Sequence, residues 1–111
     1  MKVTIIEHPK VIVAVFKGRI DAFYAPELRE KMENYFSQGY NNFVLDLSDV
    51  EFLDSAGLAV LVSVLKHSQQ EGGSTRLIMP THETARRILH LTRFDKVFQI
   101  MDNSDLAVKS F

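Results

Sequence analysis

The chain has 111 residues, 46% of them hydrophobic and 24% charged, with a formal net charge of −1, a composition typical of one ordinary globular domain. The near-neutral balance gives no support to a general attraction for nucleic acid or for an anionic membrane surface. The absence of cysteine excludes disulfides, thiolate zinc sites and a cysteine nucleophile. No apolar run approaches the roughly 20 residues that span a bilayer, and no secretory signal is visible, so we expect a cytoplasmic protein.

The first part of the chain predicts a β-hairpin followed by a helix. Two β-branched runs, residues 3–7 and 11–17, flank a turn that contains a proline, which cannot continue a strand ladder. Gly18 is expected to end the second strand. A helix is predicted from Pro26, whose fixed φ suits the first turn, to the stop signal Gly39.

The middle of the chain predicts a strand and an apolar helix. Residues 42–47 alternate as in a strand, and residues 48–53 are expected to form a short connection. Asp54 and Ser55 then open a helix that runs to about Gln70, with an apolar stripe formed by Leu58, Leu61, Val62 and Leu65.

The last part predicts two further strands and two further helices. Residues 76–79 form a short strand, Thr81 is expected to cap a third helix, residues 97–101 form a last strand, and Asn103 or Ser104 caps a terminal helix. Strands that alternate with helices indicate an α/β fold. We therefore expect a single domain over residues 1–111, with a mixed, largely parallel sheet, an N-terminal hairpin and about four helices packed on it.

Asp54 and Ser55 lie where a buried strand meets the start of a helix, which is where α/β folds place functional loops. The first turn of a helix has unpaired N–H groups and favours negative charge, so a phosphate on Ser55 is compatible with this helix start. The neighbouring Asp54 opposes it by repulsion. Gly57 lacks a side chain and permits close approach of another backbone, which suits a partner that must reach Ser55. An N-cap without further function is the competing interpretation.

Three segments of the sequence resemble one protein family. They are Gly18-Arg19-Ile20-Asp21 with Ala25-Pro26-Glu27-Leu28, the strand Phe43-Val44-Leu45-Asp46-Leu47-Ser48, and the signature Phe52-Leu53-Asp54-Ser55-Ala56-Gly57-Leu58. The chain resembles an anti-sigma factor antagonist, the stand-alone form of the STAS domain (sulphate transporter and anti-sigma factor antagonist).

The resemblance implies a STAS fold and a partner-switching function without catalysis or cofactor. The unphosphorylated protein would bind a GHKL-type serine kinase that acts as an anti-sigma factor, and so free a sigma factor. The kinase would phosphorylate Ser55 and thereby block binding, and a PP2C-type phosphatase would reverse the modification. The implied partner-binding positions are Asp21, Asp54, Ser55, Ala56, Gly57 and Leu58. A monomer or weak dimer is expected.

Two positions depart from the family signature. Ala56 stands where many members have a second hydroxyl residue, which leaves Ser55 as the one acceptor in the motif. Ala59 stands where glycine is frequent, and alanine favours a helix.

Four alternatives remain open at this stage. A hydrolase with Ser55 as nucleophile needs a base and an oxyanion hole, and the serine is not in a Gly-x-Ser-x-Gly elbow. A metal site near His82 and Glu83 lacks a second histidine. A nucleic-acid surface is one interpretation of a cationic helix face, a solvated face being the other. This cationic face is formed by Arg86, Arg87, His90 and Arg93.

The last alternative is a STAS scaffold or binding subunit, in a stressosome-like or lipid-transport complex, which would not be switched at Ser55.

Overall fold

A computed structural model describes residues 1–111 as a five-stranded sheet with five helices. The strands are β1 (Lys2–His8), β2 (Val11–Ile20), β3 (Asn42–Leu53), β4 (Thr75–Ile78) and β5 (Gln99–Met101). The helices are α1 (Ala25–Ser37), α2 (Ser55–Gln70), α3 (Glu83–Leu91), α4 (Phe94–Val97) and α5 (Ser104–Lys109). None of these helices is both long and apolar enough to cross a membrane.

The strand order in the sheet is the order in the chain, β1-β2-β3-β4-β5. β1 and β2 form an antiparallel hairpin, whereas β2, β3, β4 and β5 are parallel. Parallel crossovers are right-handed in nearly all proteins, so crossovers that all step in one direction put their helices on one face. The antiparallel pairing of β1 with β2 and the parallel pairing of the other strands confirm the predicted mixed sheet with its N-terminal hairpin.

Alternate residues of the central strands face two separate apolar layers. On the inner face, Ile12 and Phe16 of β2 and Leu45 of β3 pack with side chains of α1, α2 and α3. On the outer face, residues of β2, β3 and β4 pack against Ala107 of α5. Both central strands are thus covered on both sides, as expected for strands that are apolar throughout.

The C-terminal end of the chain closes the outer face through Arg76 of β4. Its Nε donates a hydrogen bond to Ser110 Oγ at 2.9 Å, and its guanidinium carbon lies 4.2 Å from the centre of the Phe111 ring. The predicted cap of α5 is confirmed, because Asn103 Oδ1 accepts a hydrogen bond from the Leu106 N–H at 2.9 Å.

Two strands are longer than predicted. Gly18 does not end β2, which continues to Ile20 through register shifts before Lys17 and before Arg19. Residues 48–53 are not a connection but the last part of β3. The pairing continues through these register shifts, from Lys17 opposite Asp49 to Ile20 opposite Leu53, and a search for regular apolar alternation does not detect an irregular strand end.

The helix starts differ in detail from the prediction. α1 begins at Ala25, with Pro26 in its first turn. Thr81 does not cap α3: the helix begins at Glu83, and the Thr81 hydroxyl instead donates to the Ser48 carbonyl at 2.9 Å. Residues 97–101 were expected to be one strand, but the one-turn helix α4 occupies Phe94–Val97 and leaves a three-residue β5.

Candidate functional site

Ser55 is the first residue of α2, directly after Asp54 at the carboxyl end of β3. Its side chain is exposed, and the hydroxyl donates or accepts no hydrogen bond within the chain. The neighbouring strand β2 ends at the same level, since Ile20 pairs with Leu53. The site is therefore built where the two central strands end and α1 and α2 begin.

The Asp54 carboxylate holds two segments of the chain at once. Its Oδ1 accepts a hydrogen bond from the Gly57 N–H at 2.9 Å, which caps α2. Its Oδ2 accepts one from the Ala22 N–H, also at 2.9 Å, in the turn between β2 and α1. The N–H of Gly57, and second that of Ala22, hold the pKa of this carboxyl below its usual value by favouring its charged form.

Asp21 fixes the same turn from its other side. Its Oδ1 lies 3.2 Å from the Phe23 nitrogen and 3.4 Å from the Tyr24 nitrogen, and both N–H groups donate to it. Its Oδ2 lies 3.9 Å from Arg19 Nε, and that guanidinium lies 4.2 Å from the centre of the Phe52 ring. The structure thus brings Asp21 and Asp54 to one turn, in which Ala22 connects them.

Gly57 is buried, and its role lies within the chain. A Cβ added to Gly57 would lie 2.2 Å from the Ile20 carbonyl oxygen, so only glycine lets the start of α2 pass so close to the end of β2. The Asp54 N–H also donates to this carbonyl, at 3.3 Å. The backbone that approaches Gly57 is therefore that of Ile20, and the expectation that this space serves a partner is corrected.

The exposed side of α2 forms a ridge between two open grooves. One groove, of about 700 Å³, separates α2 from α1 and is lined by Ala22, Pro26, Ala56 and Ala59 among others. The second, of about 500 Å³, separates α2 from α4 and is lined by Ser55, Leu58, Val62, Ser63 and Phe94 among others. Val62, predicted to be in the buried stripe, lies half-exposed in this second groove, whereas Val60 and Val64, predicted to widen that stripe, are buried.

The site has no hydrogen-bonded base for a serine nucleophile. His67 stacks on Phe36 and faces Glu33 of α1, with 3.3 Å between Nδ1 and Oε1. His90 is hydrogen-bonded to Asp95. Catalysis by Ser55 would require an imidazole or another base within reach of its Oγ. No group of three or more histidine, aspartate or glutamate side chains is placed to hold a metal ion.

The cationic residues of α3 are largely engaged with neighbouring groups. Arg87 lies 3.4 Å from Glu83, His90 lies 2.7 Å from Asp95, and Arg86 donates to the Pro80 carbonyl at 3.1 Å. The Glu83 carboxylate beside Arg87 reduces the positive potential that a nucleic-acid backbone would need. The arrangement is more typical of a solvated helix face.

Residues 2–107 match the STAS domain. The chain belongs to the STAS domain family. It is 36% identical to the anti-sigma-B factor antagonist of Bacillus subtilis over 93 residues, and this matched stretch covers 84% of this chain and 78% of that protein. It is 33% identical over 99 residues to the anti-sigma-F factor antagonist RsfB of Mycobacterium tuberculosis, which covers 88% and 79% of the two chains.

A solved structure agrees with these matches. The crystal structure of an anti-sigma factor antagonist from Mycobacterium paratuberculosis superposes on this STAS domain with a TM-score of 0.83 and 30% identity, over 98% of this chain and 92% of that one. The resemblance inferred from the three sequence segments is thus confirmed at the level of family and fold.

Sequence reasoning missed one prominent feature of this STAS domain. Phe23, between Asp21 and the start of α1, is 82% exposed and lies in the turn that Asp54 holds. Two adjacent aromatic residues in a short turn before a helix are a signal that the sequence does contain. Apolar periodicity does not detect them, because it selects the buried stripes of helices and strands and not residues in turns.

Proposed function

We propose that this STAS domain is a cytoplasmic anti-sigma factor antagonist whose binding is switched by phosphorylation of Ser55. The unphosphorylated form binds an anti-sigma factor that is also a GHKL-type serine kinase, and so releases a sigma factor. Phosphorylation of Ser55 ends that binding, and a PP2C-type phosphatase restores it. The protein acts as substrate and ligand, not as enzyme, and the binding surface includes Asp21, Asp54, Ser55, Ala56 and the edge of Leu58.

The observation that carries this proposal is the state of the Ser55 hydroxyl. It is exposed at the start of α2 and makes no hydrogen bond within the chain, so a kinase can modify it without breaking a contact that the fold needs. Two chains similar to this one are an anti-sigma-B and an anti-sigma-F factor antagonist, which supports an anti-sigma factor as the partner.

The same geometry explains how a phosphate would act. Asp54 already accepts the Gly57 N–H, so a phosphate on Ser55 does not replace the cap of α2. It adds about −1.5 to −2 charges beside an existing carboxylate, while the positive end of the helix dipole partly offsets the repulsion. The modification therefore changes the charge of the ridge on α2 more than it changes the fold.

Binding and phosphorylation assays test the proposal. Each purified GHKL-type serine kinase of the source organism is incubated with the protein and ATP, and the modified peptide is identified by mass spectrometry. We expect phosphate on Ser55 and none in Ser55→Ala. Ser55→Asp should weaken kinase binding at least tenfold, as expected for a charge placed at the centre of an interface, whereas Ser55→Ala should bind as the unmodified chain does.

Ser63→Asp is the matched control. Ser63 lies on the same side of α2, about 12 Å further along the helix at 1.5 Å per residue, and lines the same groove as Ser55. We expect Ser63→Asp to weaken binding much less than Ser55→Asp. Equal affinity of Ser55→Asp and Ser55→Ala would contradict a switch at Ser55 and would favour a STAS scaffold or binding subunit that is not switched there.

A further inference from the structure

Phe23 is the most exposed large apolar side chain of the molecule, at 82%. It belongs to neither of the two apolar layers of the fold. Its one aromatic contact is with the adjacent Tyr24, edge to face, with 5.0 Å between ring centres. The fold therefore gains little from this ring, and its position in water has no explanation within the chain.

The turn that carries Phe23 is nevertheless rigidly held. The Phe23 N–H donates to Asp21 Oδ1, and the N–H groups of Tyr24 and Ala25 donate to the Asp21 carbonyl at 3.1 and 2.9 Å. On the other side, the Ala22 N–H donates to Asp54. A backbone fixed in this way has little freedom to lose when the ring is bound, which favours affinity.

The turn also places Phe23 next to the proposed switch. Ala22 precedes Phe23 and is bonded to Asp54, which precedes Ser55. Ala22 and Ala56 line one groove, so a partner that covers Ser55 also meets the turn. Aromatic residues are enriched among those that dominate binding energy at protein interfaces.

We propose that Phe23 is the apolar anchor of the interface with the anti-sigma factor, an inference that rests on the proposed function. Its ring enters an apolar pocket of the partner. The surrounding segment, residues 19–30, carries three carboxylates and two guanidinium groups, of which Arg19 lies 3.9 Å from Asp21, and Asp54 adds a further carboxylate beside it. The rim of the partner's pocket should therefore carry more basic than acidic groups, since interface rims are polar and charges across an interface are complementary.

Three variants test this inference against the same kinase. Phe23→Ala should weaken binding about 10- to 100-fold, the range for truncation of an aromatic anchor, and Phe23→Tyr should restore most of the affinity. Leu91→Ala is the matched control, because Leu91 is 76% exposed but lies at the end of α3; its binding should stay within about twofold of the unmodified chain, as for a residue outside an interface.

In the phosphorylation assay, Phe23→Ala should raise KM and leave kcat unchanged, because the ring contributes to binding alone.

The outcomes separate this inference from the proposed function. If Ser55→Asp weakens binding and Phe23→Ala does not, the anchor is refuted and the switch stands. If the unmodified chain binds no GHKL kinase, both are refuted. A melting temperature of Phe23→Ala several degrees below that of the unmodified chain would also refute the anchor, because it would show that the fold itself uses the ring.

Discussion

Asp54 binds two parts of the backbone with separate oxygens, and this distinguishes it from an ordinary helix cap. One oxygen satisfies the Gly57 N–H of α2 and the other satisfies the Ala22 N–H of the preceding turn. An asparagine at this position has one acceptor oxygen and one NH2 group. It can replace only one of the two hydrogen bonds.

Substitution of Asp54 should therefore be graded. We expect the melting temperature to fall in Asp54→Asn and to fall further in Asp54→Ala, which loses both acceptors. Amide hydrogen exchange should show one unprotected N–H among Ala22 and Gly57 in the first variant and two in the second. Asp102→Asn, at an exposed position without a hydrogen bond to its side chain, should leave both amides unchanged. Equal protection in all three variants would contradict this role.

The pH dependence of stability should carry the same signature. Because the pKa of Asp54 in the folded chain lies below the ordinary value of 3.8, its contribution to the free energy of unfolding is complete above that value. It is lost as the pH falls from 3.8 through the folded-state pKa, since the unfolded chain takes up the proton first. Urea unfolding of the unmodified chain and of Asp54→Asn should show a stability difference that narrows from about pH 5 to about pH 3. A difference independent of pH would refute this account.

Among the residues of the site, those features that depend on neighbouring residues in the chain could be predicted from the sequence, and the contacts between distant segments could not. The position of Asp54 and Ser55 at the start of a helix followed from local rules on helix starts, which did not say which of the two caps it. The bond from Asp54 to Ala22 spans 32 residues, and the contact of Gly57 with Ile20 joins two elements that are distant in the chain. Such contacts depend on the sheet register, which local patterns do not contain.

Among the elements, α5 is the only helix that covers the outer face of the sheet, and it is short. It has six residues, which is too short for a helix to be stable without tertiary contacts. Its buried residue Ala107 packs on Val11, Val13, Val44 and Ile78 of the outer face. The attachment of α5 therefore depends on this small apolar contact, on the hydrogen bond from Ser104 Oγ to Asp46 Oδ2 at 2.7 Å and on the bonds of Arg76 to Ser110.

Ala107→Asp should release α5 while the rest of the fold persists. A charge at a fully buried position costs several kcal/mol unless the segment moves into water, and short elements with few contacts open locally. We expect amide exchange to increase in residues 104–109 and to stay slow in α2. Leu106→Asp is the control, because Leu106 on the same helix is 47% exposed. Similar exchange in the two variants would contradict the predicted dependence on Ala107.

The element boundaries show where sequence patterns fail. The first parts of β2 and β3 were predicted and their last parts were not, because two register shifts in their pairing interrupt the regular alternation of apolar residues. α4 was also missed: it is a single turn that begins after Arg93, whose φ is +62°. Only glycine, asparagine and aspartate often adopt that backbone conformation. An arginine at this position therefore does not indicate a bend in the chain.

For the whole molecule, the inner apolar layer extends from β2 to Phe98 and includes residues of α1, α2 and α3. The radius of gyration is 12.5 Å, close to the roughly 13 Å expected for a compact domain of this length. Nothing in this layer divides the chain into separately packed parts; the single domain over residues 1–111 stays a prediction.

Unfolding of residues 1–111 should accordingly be one cooperative transition. The chain has three tyrosines and no tryptophan, so tyrosine fluorescence reports tertiary structure and far-ultraviolet circular dichroism reports the helices. We expect the two signals to give the same midpoint in urea, as for small two-state domains. Midpoints that differ would show that part of the chain unfolds separately. Amide exchange of α5 would then be measured first.

The sheet order has a consequence for synthesis of the chain. Each strand pairs with the strand made just before it, so the sheet can grow in step with the ribosome. The side chain of Arg76 on β4 has to wait longer for its partner. Ser110 follows 34 residues later, which takes about 2–7 s at ordinary rates of translation. During that interval the outer face of the nascent sheet is uncovered while its inner face is already closing. We expect the nascent chain to expose the apolar outer face of the sheet until α5 is made, and chaperones would bind it at that stage.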